Sequence, residues 1–268
     1  MMLDVKNLRV SFARESLPPV EVVHGVSFSV ARGEVLGIVG ESGSGKSVIS
    51  LAMIGLLPGT ARATGQVMFE GRDILRLPEH DLCNLRGNRI GMIFQEPMTA
   101  LNPAMRVGAQ IAEGMILNKG LSRKAARAET LRLLDMVQIS RASERIDSFP
   151  HEMSGGQRQR VGIAIALASN PDLLIADEPT TALDVTVQAE ILNILDDLVT
   201  DLGISLILVS HDLGVIARIA DRTLVMCQGE DMEQGATEDI LRRPAHAYTR
   251  QLLDAMPRRA RVSLEEGA

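Results

Sequence analysis

Residues 35–47 read VLGIVGESGSGKS, and they carry the strongest indication of the fold in this sequence. Its first five residues form a continuous apolar run, which is typical of a strand buried on both faces of a parallel sheet. The next eight fit the pattern G-x-x-x-x-G-K-[ST], and a helical pattern of apolar residues follows from Lys46. A buried strand, a glycine-rich loop and a helix in this order predict a P-loop, which binds the phosphates of a nucleotide.

The residue types of this loop suit a nucleoside triphosphate. Glycines let successive backbone N–H groups turn toward the phosphates, and the helix N-terminus adds partial positive charge. Lys46 would neutralise the β- and γ-phosphates, and the Ser47 hydroxyl would bind Mg²⁺. The predicted nucleotide-binding residues of the loop are Gly40, Glu41, Ser42, Gly43, Ser44, Gly45, Lys46 and Ser47.

The rest of the chain alternates short apolar runs with helical patterns, which predicts an α/β fold with a mainly parallel sheet. The predicted strands are 3–10, 22–30, 35–39, 90–94, 173–176 and 206–209, with Pro18-Pro19 read as a loop. The predicted helices are 46–56, 107–118, 122–137, 155–168 and 186–202. The first two strands alternate polar and apolar residues, which predicts an N-terminal antiparallel β part.

The order of these elements predicts a discontinuous core. Between about Glu96 and Asn170 the pattern is helical throughout, which indicates a helical subdomain inserted into the α/β core. We therefore expect an ATP-binding core at 1–95 and 171–240 and a helical subdomain at 96–170. A C-terminal helix and tail are expected at 241–268.

Two carboxylates end the apolar run at 173–176. Asp177 and Glu178 are neighbours, so on a strand their side chains cannot both face the same way. Asp177 is predicted to reach the Mg²⁺ held by Ser47, and Glu178 to orient and deprotonate an attacking water. The alternative is an acidic strand end that faces solvent.

A second candidate anion site lies at Ser154-Gly155-Gly156-Gln157. The pattern [ST]-x-x-[EQ] predicts a capping box at the start of a helix, and an ordinary cap is the simpler interpretation. Two glycines in the first turn are unusual, because each costs about 1 kcal/mol of helix propensity against Ala. Bare N–H groups that a phosphate can approach would explain them. With one triphosphate already assigned to the P-loop, this predicts that two chains share each nucleotide.

These motifs together resemble the ABC ATPases. Met153 to Gln157 is similar to the LSGGQ signature of that family, with Met in place of Leu. By the same resemblance Gln95 is the Q-loop glutamine that contacts Mg²⁺ and the membrane partner. Asp184 belongs to the D-loop at the dimer interface, and His211 is the histidine that contacts the γ-phosphate. Phe12 would stack on adenine, unless it is an ordinary core residue.

Longer stretches resemble one branch of the family, the ATPases of dipeptide and oligopeptide importers, which also serves nickel and glutathione. They are 94–103, 149–157, 177–185 and 246–250. The resemblance implies ATP and Mg²⁺, permease subunits, a second ATPase subunit, identical or homologous, and, indirectly, a solute-binding protein. It also implies a place on the cytoplasmic face of the inner membrane. The branch continues into a cysteine-rich stretch that can bind an iron–sulfur cluster; no cysteine follows Cys227 here, so no cluster is expected.

Composition limits the other classes of function. The net charge of −6 argues against non-specific DNA binding, and six aromatic residues are too few for a stacking platform for single-stranded nucleic acid. A cassette ATPase acting on nucleic acid stays open as the alternative, and so does an ATP sensor that does not hydrolyse. The longest uncharged stretch, 47–61, is too short to span a bilayer, and Cys83 and Cys227 are expected to be buried thiols.

Overall fold

The computed structural model describes residues 1–96, 100–181 and 183–255. Contacts divide the chain into two compact units. The first unit comprises Met1–Leu82 and the chain from Ser205 onward, and the second comprises Cys83–Ile204. The predicted division at 95, 170 and 240 rests on motifs and not on contacts, and it stays a prediction.

An antiparallel sheet forms the start of the first unit. Its strands are β1 (Leu3–Arg14), β2 (Leu17–Val30), β4 (Ala61–Phe69) and β5 (Arg72–Asp73), in the order β2-β1-β4-β5. Leu3 and Val5 are buried and so, after an irregularity in the pairing, are Leu8 and Val10, because alternate side chains of a strand point to the same face. The predicted antiparallel β part is confirmed, although the sequence pattern did not reveal β4.

The predicted loop at Pro18-Pro19 is wrong. Both prolines lie in β2, and the chain reverses at Glu15 and Ser16 instead. Within its sheet β2 pairs only with β1, so it is an edge strand. Proline lacks the N–H that a central strand needs, and an edge strand tolerates it.

Parallel strands in the first unit surround the glycine-rich loop. β3 (Val35–Val39) lies between β8 (Ser205–Ser210) and β9 (Arg222–Cys227) and is parallel to both, while β10 (Glu230–Ala236) pairs antiparallel with β9. All five residues of β3 and all six of β8 are buried. The helices of this unit are α1 (Lys46–Met53), α8 (Leu213–Ile219), α9 (Thr237–Arg242) and α10 (Ala247–Ala255), and α2 (Glu79–Leu85) spans the boundary at Leu82.

The second unit is mostly helical. Its two strands, β6 (Ile90–Ile93) and β7 (Leu173–Asp177), are parallel, with Ile90 opposite Leu173. Its helices are α3 (Val107–Lys119), α4 (Arg123–Met136), α5 (Ala142–Arg145), α6 (Gly155–Leu167) and α7 (Val185–Leu202). The described residues between β6 and β7 contain no strand, which agrees with the predicted helical run.

Two of these helix boundaries follow directly from residue type. Ser122 caps α4 by accepting a hydrogen bond from the N–H of Ala125. Gly120 ends α3 with φ 64°, a left-handed conformation that glycine adopts without a steric penalty. The predicted starts and ends of α3 and α4 are therefore within a residue or two of the observed ones.

The α/β class, with parallel strands, an antiparallel N-terminal sheet and helices, is confirmed. The expectation of two buried thiols is wrong for Cys83, which is exposed, and Cys227 is half-buried; neither forms a disulfide. Among the described residues, no helix combines the length and apolarity that crossing a bilayer requires. The predicted C-terminal tail falls at 256–268, outside the described residues.

Candidate functional site

The glycine-rich loop follows β3 and ends at α1, as the sequence predicts. Gly40 must be glycine, because an added Cβ would lie 2.1 Å from the carbonyl oxygen of Met226. Gly45 precedes α1 with φ 94°, in the left-handed region that lets the chain turn into the helix. Steric constraints at these two glycines therefore fix the backbone of the loop.

Lys46 and Ser44 supply polar groups inside this loop. Lys46 is only 4% exposed, and its Nζ donates hydrogen bonds to the carbonyl oxygens of Gly40 (2.8 Å) and Glu41 (2.9 Å). The Ser44 hydroxyl is buried and has no hydrogen-bond partner among the described residues. A buried polar atom without a partner is costly, so a phosphate oxygen at this place would satisfy it. The loop thus fits a nucleotide.

The turn between β9 and β10 holds the loop from the side, which sequence reasoning missed. The N–H of Gly229 donates to the carbonyl oxygen of Ser44 (3.2 Å). Gly229 has φ 84°, and a Cβ there would lie 2.3 Å from the carbonyl oxygen of Val22. A glycine in a loop near the C-terminus gives no local signal of this contact, because the partners are distant in sequence.

Tyr248 of α10 also contacts the loop and was missed as a site residue. Its hydroxyl accepts a hydrogen bond from the backbone N–H of Glu41 (3.4 Å). Burial is the main cause that raises the pKa of Tyr248 to about 12, so its hydroxyl stays protonated at neutral pH. The sequence signal was present, since Tyr248 lies in the stretch 246–250 that carried the resemblance to one branch of the family.

Glu178 and Gln95 are brought together in the second unit. Gln95 Nε2 donates to Glu178 Oε2 (3.1 Å), and Thr181 Oγ1 donates to the same oxygen (2.8 Å). Glu178 has φ 47°, which is uncommon for a residue with a side chain and typical of strained functional positions. Asp177, the last residue of β7, is 5% exposed. Thr181 was not among the predicted residues, and the carboxylate pair itself gives no sign of it.

The predicted capping box at Ser154 is confirmed. The Ser154 hydroxyl accepts from the N–H of Gln157 (3.2 Å), and the Gln157 side chain accepts from the N–H of Ser154 (3.0 Å). The two glycines between them differ in their surroundings. A Cβ at Gly156 would lie 2.6 Å from Val187 Cγ1, whereas one at Gly155 would be at ordinary contact distance, 3.8 Å from Leu183. Close packing is therefore a second explanation for Gly156, and a role in phosphate approach stays a prediction.

Three further predicted site residues lie at a helix start, at a strand end and within a strand. Asp184 caps α7 by accepting from the N–H of Val187 (3.0 Å), and Ala182, beside it in the motif, lies outside the described residues. His211 directly follows β8 and is exposed. Phe12 is half-buried in β1, opposite Val20 and Ala61. Within the described residues, no group of three His, Cys, Asp or Glu side chains could hold a metal ion.

Fold and loop together define the class. A parallel β3 buried between two strands, a loop with a buried lysine at its base and a helix that begins at Lys46 make this a P-loop nucleotide-binding protein.

Comparison with known proteins gives the family. The family model described as "ABC transporter" matches residues 23–181, and a model of the C-terminal region of oligopeptide/dipeptide transporters matches residues 232–265. The chain therefore belongs to the ABC transporter family, as the motifs predicted. It is the ATP-binding and ATP-hydrolysing component of such a transporter.

Individual relatives agree with this assignment. The oligopeptide transport ATP-binding protein OppD of Salmonella typhimurium is 50% identical over 258 residues, which cover 96% of this chain and 77% of the relative. The dipeptide transport ATP-binding protein DppD of Bacillus subtilis is 49% identical over 259 residues, with coverages of 96% and 77%. A solved structure, the dimeric post-hydrolysis state of the ATP-binding cassette MJ0796 bound to ADP and Pi, matches with a TM-score of 0.79 at 28% identity. It covers 88% of this chain and 99% of that one.

Proposed function

We propose that this chain is the ATP-hydrolysing subunit of an importer for oligopeptides or dipeptides. The hydrolytic part rests on one observation, the Glu178 carboxylate held by Gln95 and Thr181. The peptide part is supported by the names of the relatives and by the family model that matches residues 232–265. Import of nickel or of glutathione is the alternative cargo within the same class.

The P-loop residues 40–47 would bind the phosphates of ATP through their backbone N–H groups. The Ser44 hydroxyl, which is buried and without a partner among the described residues, would donate to a phosphate oxygen. Lys46 would offset the charge of the β- and γ-phosphates, and Phe12 would stack on adenine. His211 would contact the γ-phosphate from the end of β8.

Ser47, Gln95 and Asp177 would hold Mg²⁺. A hydroxyl, an amide oxygen and a carboxylate are the hard oxygen donors that this ion prefers. Gln95 Nε2 already donates to Glu178, so its carbonyl oxygen is the atom left for a cation. When bound, Mg²⁺ supplies positive charge to the phosphates during transfer.

Glu178 would accept the proton of the water that attacks the γ-phosphate. Gln95 Nε2 and Thr181 Oγ1 both donate to Oε2, so the carboxylate is oriented by two hydrogen bonds. A base held in one orientation loses less entropy when it reacts. The short distance between Gln95 and Glu178 also offers a route by which the Q-loop senses the state of the base.

The N-terminus of helix α6, capped by Ser154, would contact the ATP bound to a second ATPase subunit, identical or homologous. Gly155, Gly156 and Gln157 would complete this contact. Asp184 would lie at the interface of the two subunits. Closure of the pair would drive permease subunits, which receive cargo from a solute-binding protein. The proposed location is the cytoplasmic face of the inner membrane, and the proposed cofactors are ATP and Mg²⁺.

Replacing Glu178 by Gln tests the hydrolytic part. The amide keeps the shape but cannot accept a proton, so we expect kcat to fall by about 100-fold or more while ATP still binds. ATPase turnover and nucleotide binding of the purified chain are the measurements. Glu113→Gln, an exposed change in α3, is the matched control. Turnover of Glu178→Gln near the wild-type rate would show that another group is the base.

Reconstitution tests the cargo. The chain, its second ATPase subunit and the permeases are placed in vesicles, and ATPase activity is measured with the solute-binding protein loaded with peptide, Ni²⁺ or glutathione. Of the three ligands, only peptide bound to the solute-binding protein should stimulate turnover. Stimulation by Ni²⁺ or glutathione and not by peptide would support the alternative cargo, and stimulation by DNA would contradict the transporter class.

A further inference from the structure

The N-terminal turns of α6 and α7 contact each other at two places. Gly156 lies against Val187, where an added Cβ would come within 2.6 Å of Cγ1. One turn further along each helix, Arg160 donates to Glu190 Oε2 at 2.5 Å. Because both contacts advance in the same chain direction, the two helices start side by side and run the same way. Their caps, Ser154 and Asp184, therefore lie at the same end.

Arg160 adds a third segment to this pair of helices. Its Nη1 donates to the carbonyl oxygens of Val137 (3.2 Å) and Gln138 (2.9 Å), at the C-terminal end of α4. Helix C-termini leave carbonyl groups without partners and attract positive charge, so a guanidinium fits there. Arg160 is only 9% exposed, and a buried cation is tolerated only when its hydrogen bonds are satisfied. One side chain thus fixes α4, α6 and α7 to one another.

An open cavity lies in front of Arg160. A cavity of about 440 Å³ is lined by Gln138, Ser140, Ser154, Gln157, Arg160 and Glu190, among others. Next to it Val185, an apolar residue directly after Asp184, is 83% exposed.

We propose that Arg160 is a positioning residue of the ATPase. It sets the distance between the helix start at Ser154 and the helix start at Asp184, so that a second ATPase subunit meets both as one preformed surface. This inference rests on the proposed function, in which those two residues face the partner. A guanidinium is required because its planar fork reaches two carbonyl groups and a carboxylate together, which the single ammonium of lysine cannot do.

Arg160→Lys and Glu190→Gln test this in the full-length chain. Because the P-loop belongs to the other unit, binding of a fluorescent ATP analogue to the monomer should change by less than about twofold. The kcat of the assembled ATPase should fall by about tenfold or more, since small errors in positioning have large effects on rate. ATP-driven dimerisation, followed by light scattering in a Glu178→Gln background, should weaken in parallel. Glu190→Gln keeps the shape at a half-exposed position and provides a variant that folds.

Arg132→Lys is the matched control, because Arg132 forms an exposed two-pronged pair with Glu129 on α4 of the same unit. Unchanged kcat and dimerisation in Arg160→Lys, or losses that only follow a lower thermal midpoint, would overturn the inference. Failure of the proposed function would be seen separately, as a wild-type chain that neither dimerises nor hydrolyses with ATP. Equal losses in Arg132→Lys would also overturn it.

Discussion

At the scale of single residues, the charged groups proposed to act on ATP are held by hydrogen bonds to residues of their own unit. Lys46 is bonded to two carbonyl oxygens of its own loop, and Glu178 is held by Gln95 and Thr181. These hydrogen bonds hold the charged groups in place. Each therefore needs little rearrangement before it can act, which is the main structural requirement for electrostatic catalysis.

Lys46→Ala removes a charged donor from the loop. Hydrogen bonds to charged groups contribute about 1.5–3 kcal/mol, so ATP affinity should fall by about 10- to 100-fold. Isothermal titration with ATP measures this. Lys119→Ala, an exposed lysine at the end of α3, should bind as the wild type does. If Lys46→Ala bound ATP within about twofold of wild type, its charge would have no part in binding.

At the scale of elements, sequence patterns found several elements whose signals are local but missed β9, although residues 224–227 are all apolar. The strand at 35–39, the helix from Lys46 and the capping box at Ser154 each depend on neighbouring residues, and all three are present. β4 was missed because glycine and threonine interrupt its apolar pattern. The contacts of Gly229, Tyr248 and Arg160 were missed for another reason. They join segments far apart in the chain, 207 positions apart for Glu41 and Tyr248, and no short pattern records such a pairing.

Close packing and phosphate approach, the two explanations for the glycines at the start of α6, can be tested by substituting each glycine. Ala in place of Gly155 meets only Leu183, at an ordinary contact distance of 3.8 Å, and should gain up to about 1 kcal/mol of helix propensity. Ala in place of Gly156 meets Val187 Cγ1, and such overpacking costs about 1–3 kcal/mol, so this variant should be the less stable of the two. Urea unfolding of both variants measures the difference.

A second change makes the comparison sharper. Val187→Ala removes the methyl groups that meet the new Cβ, so it should restore stability to Gly156→Ala but not alter Gly155→Ala. Equal stability of the two glycine variants would exclude packing as the reason for Gly156. Loss of ATPase activity in the stabilised double variant would instead favour phosphate approach.

At the scale of the whole molecule, charge is distributed unevenly. The stretch 96–170 has 10 basic and 7 acidic residues, although the chain as a whole has a net charge of −6. The predicted helical subdomain thus carries an excess of positive charge, and so does 241–268, with 6 basic and 3 acidic residues.

Acid should release the C-terminal helix from the rest of its unit. Burial raises the pKa of Glu233, but hydrogen bonds to the carboxylate, including those from the N–H groups of Ala245 (2.7 Å) and His246 (3.1 Å), outweigh it. The pKa therefore lies below its usual value. The stabilisation is present above the pKa of a glutamate in the unfolded chain, about 4.3. It is lost as the pH falls through the lower pKa of Glu233 in the folded chain.

Hydrogen exchange of α10, measured between pH 6 and pH 3, tests this. Protection should decrease as the pH falls, after correction for the intrinsic rate. Glu233→Gln should show low protection throughout, while Glu238→Gln, an exposed residue of α9, should behave as the wild type does. Protection of α10 in Glu233→Gln equal to that in wild type would mean that the carboxylate does not anchor the helix.

The contact between Tyr248 and Glu41 has an optical consequence. The chain has one tyrosine and no tryptophan, so its intrinsic emission near 300 nm originates from a single ring beside the P-loop. The native protein thus contains a spectroscopic reporter at the place where the C-terminal helix meets the first residues of the phosphate loop. Lifetime and quenching of that emission follow this junction alone, without a label and without any substitution.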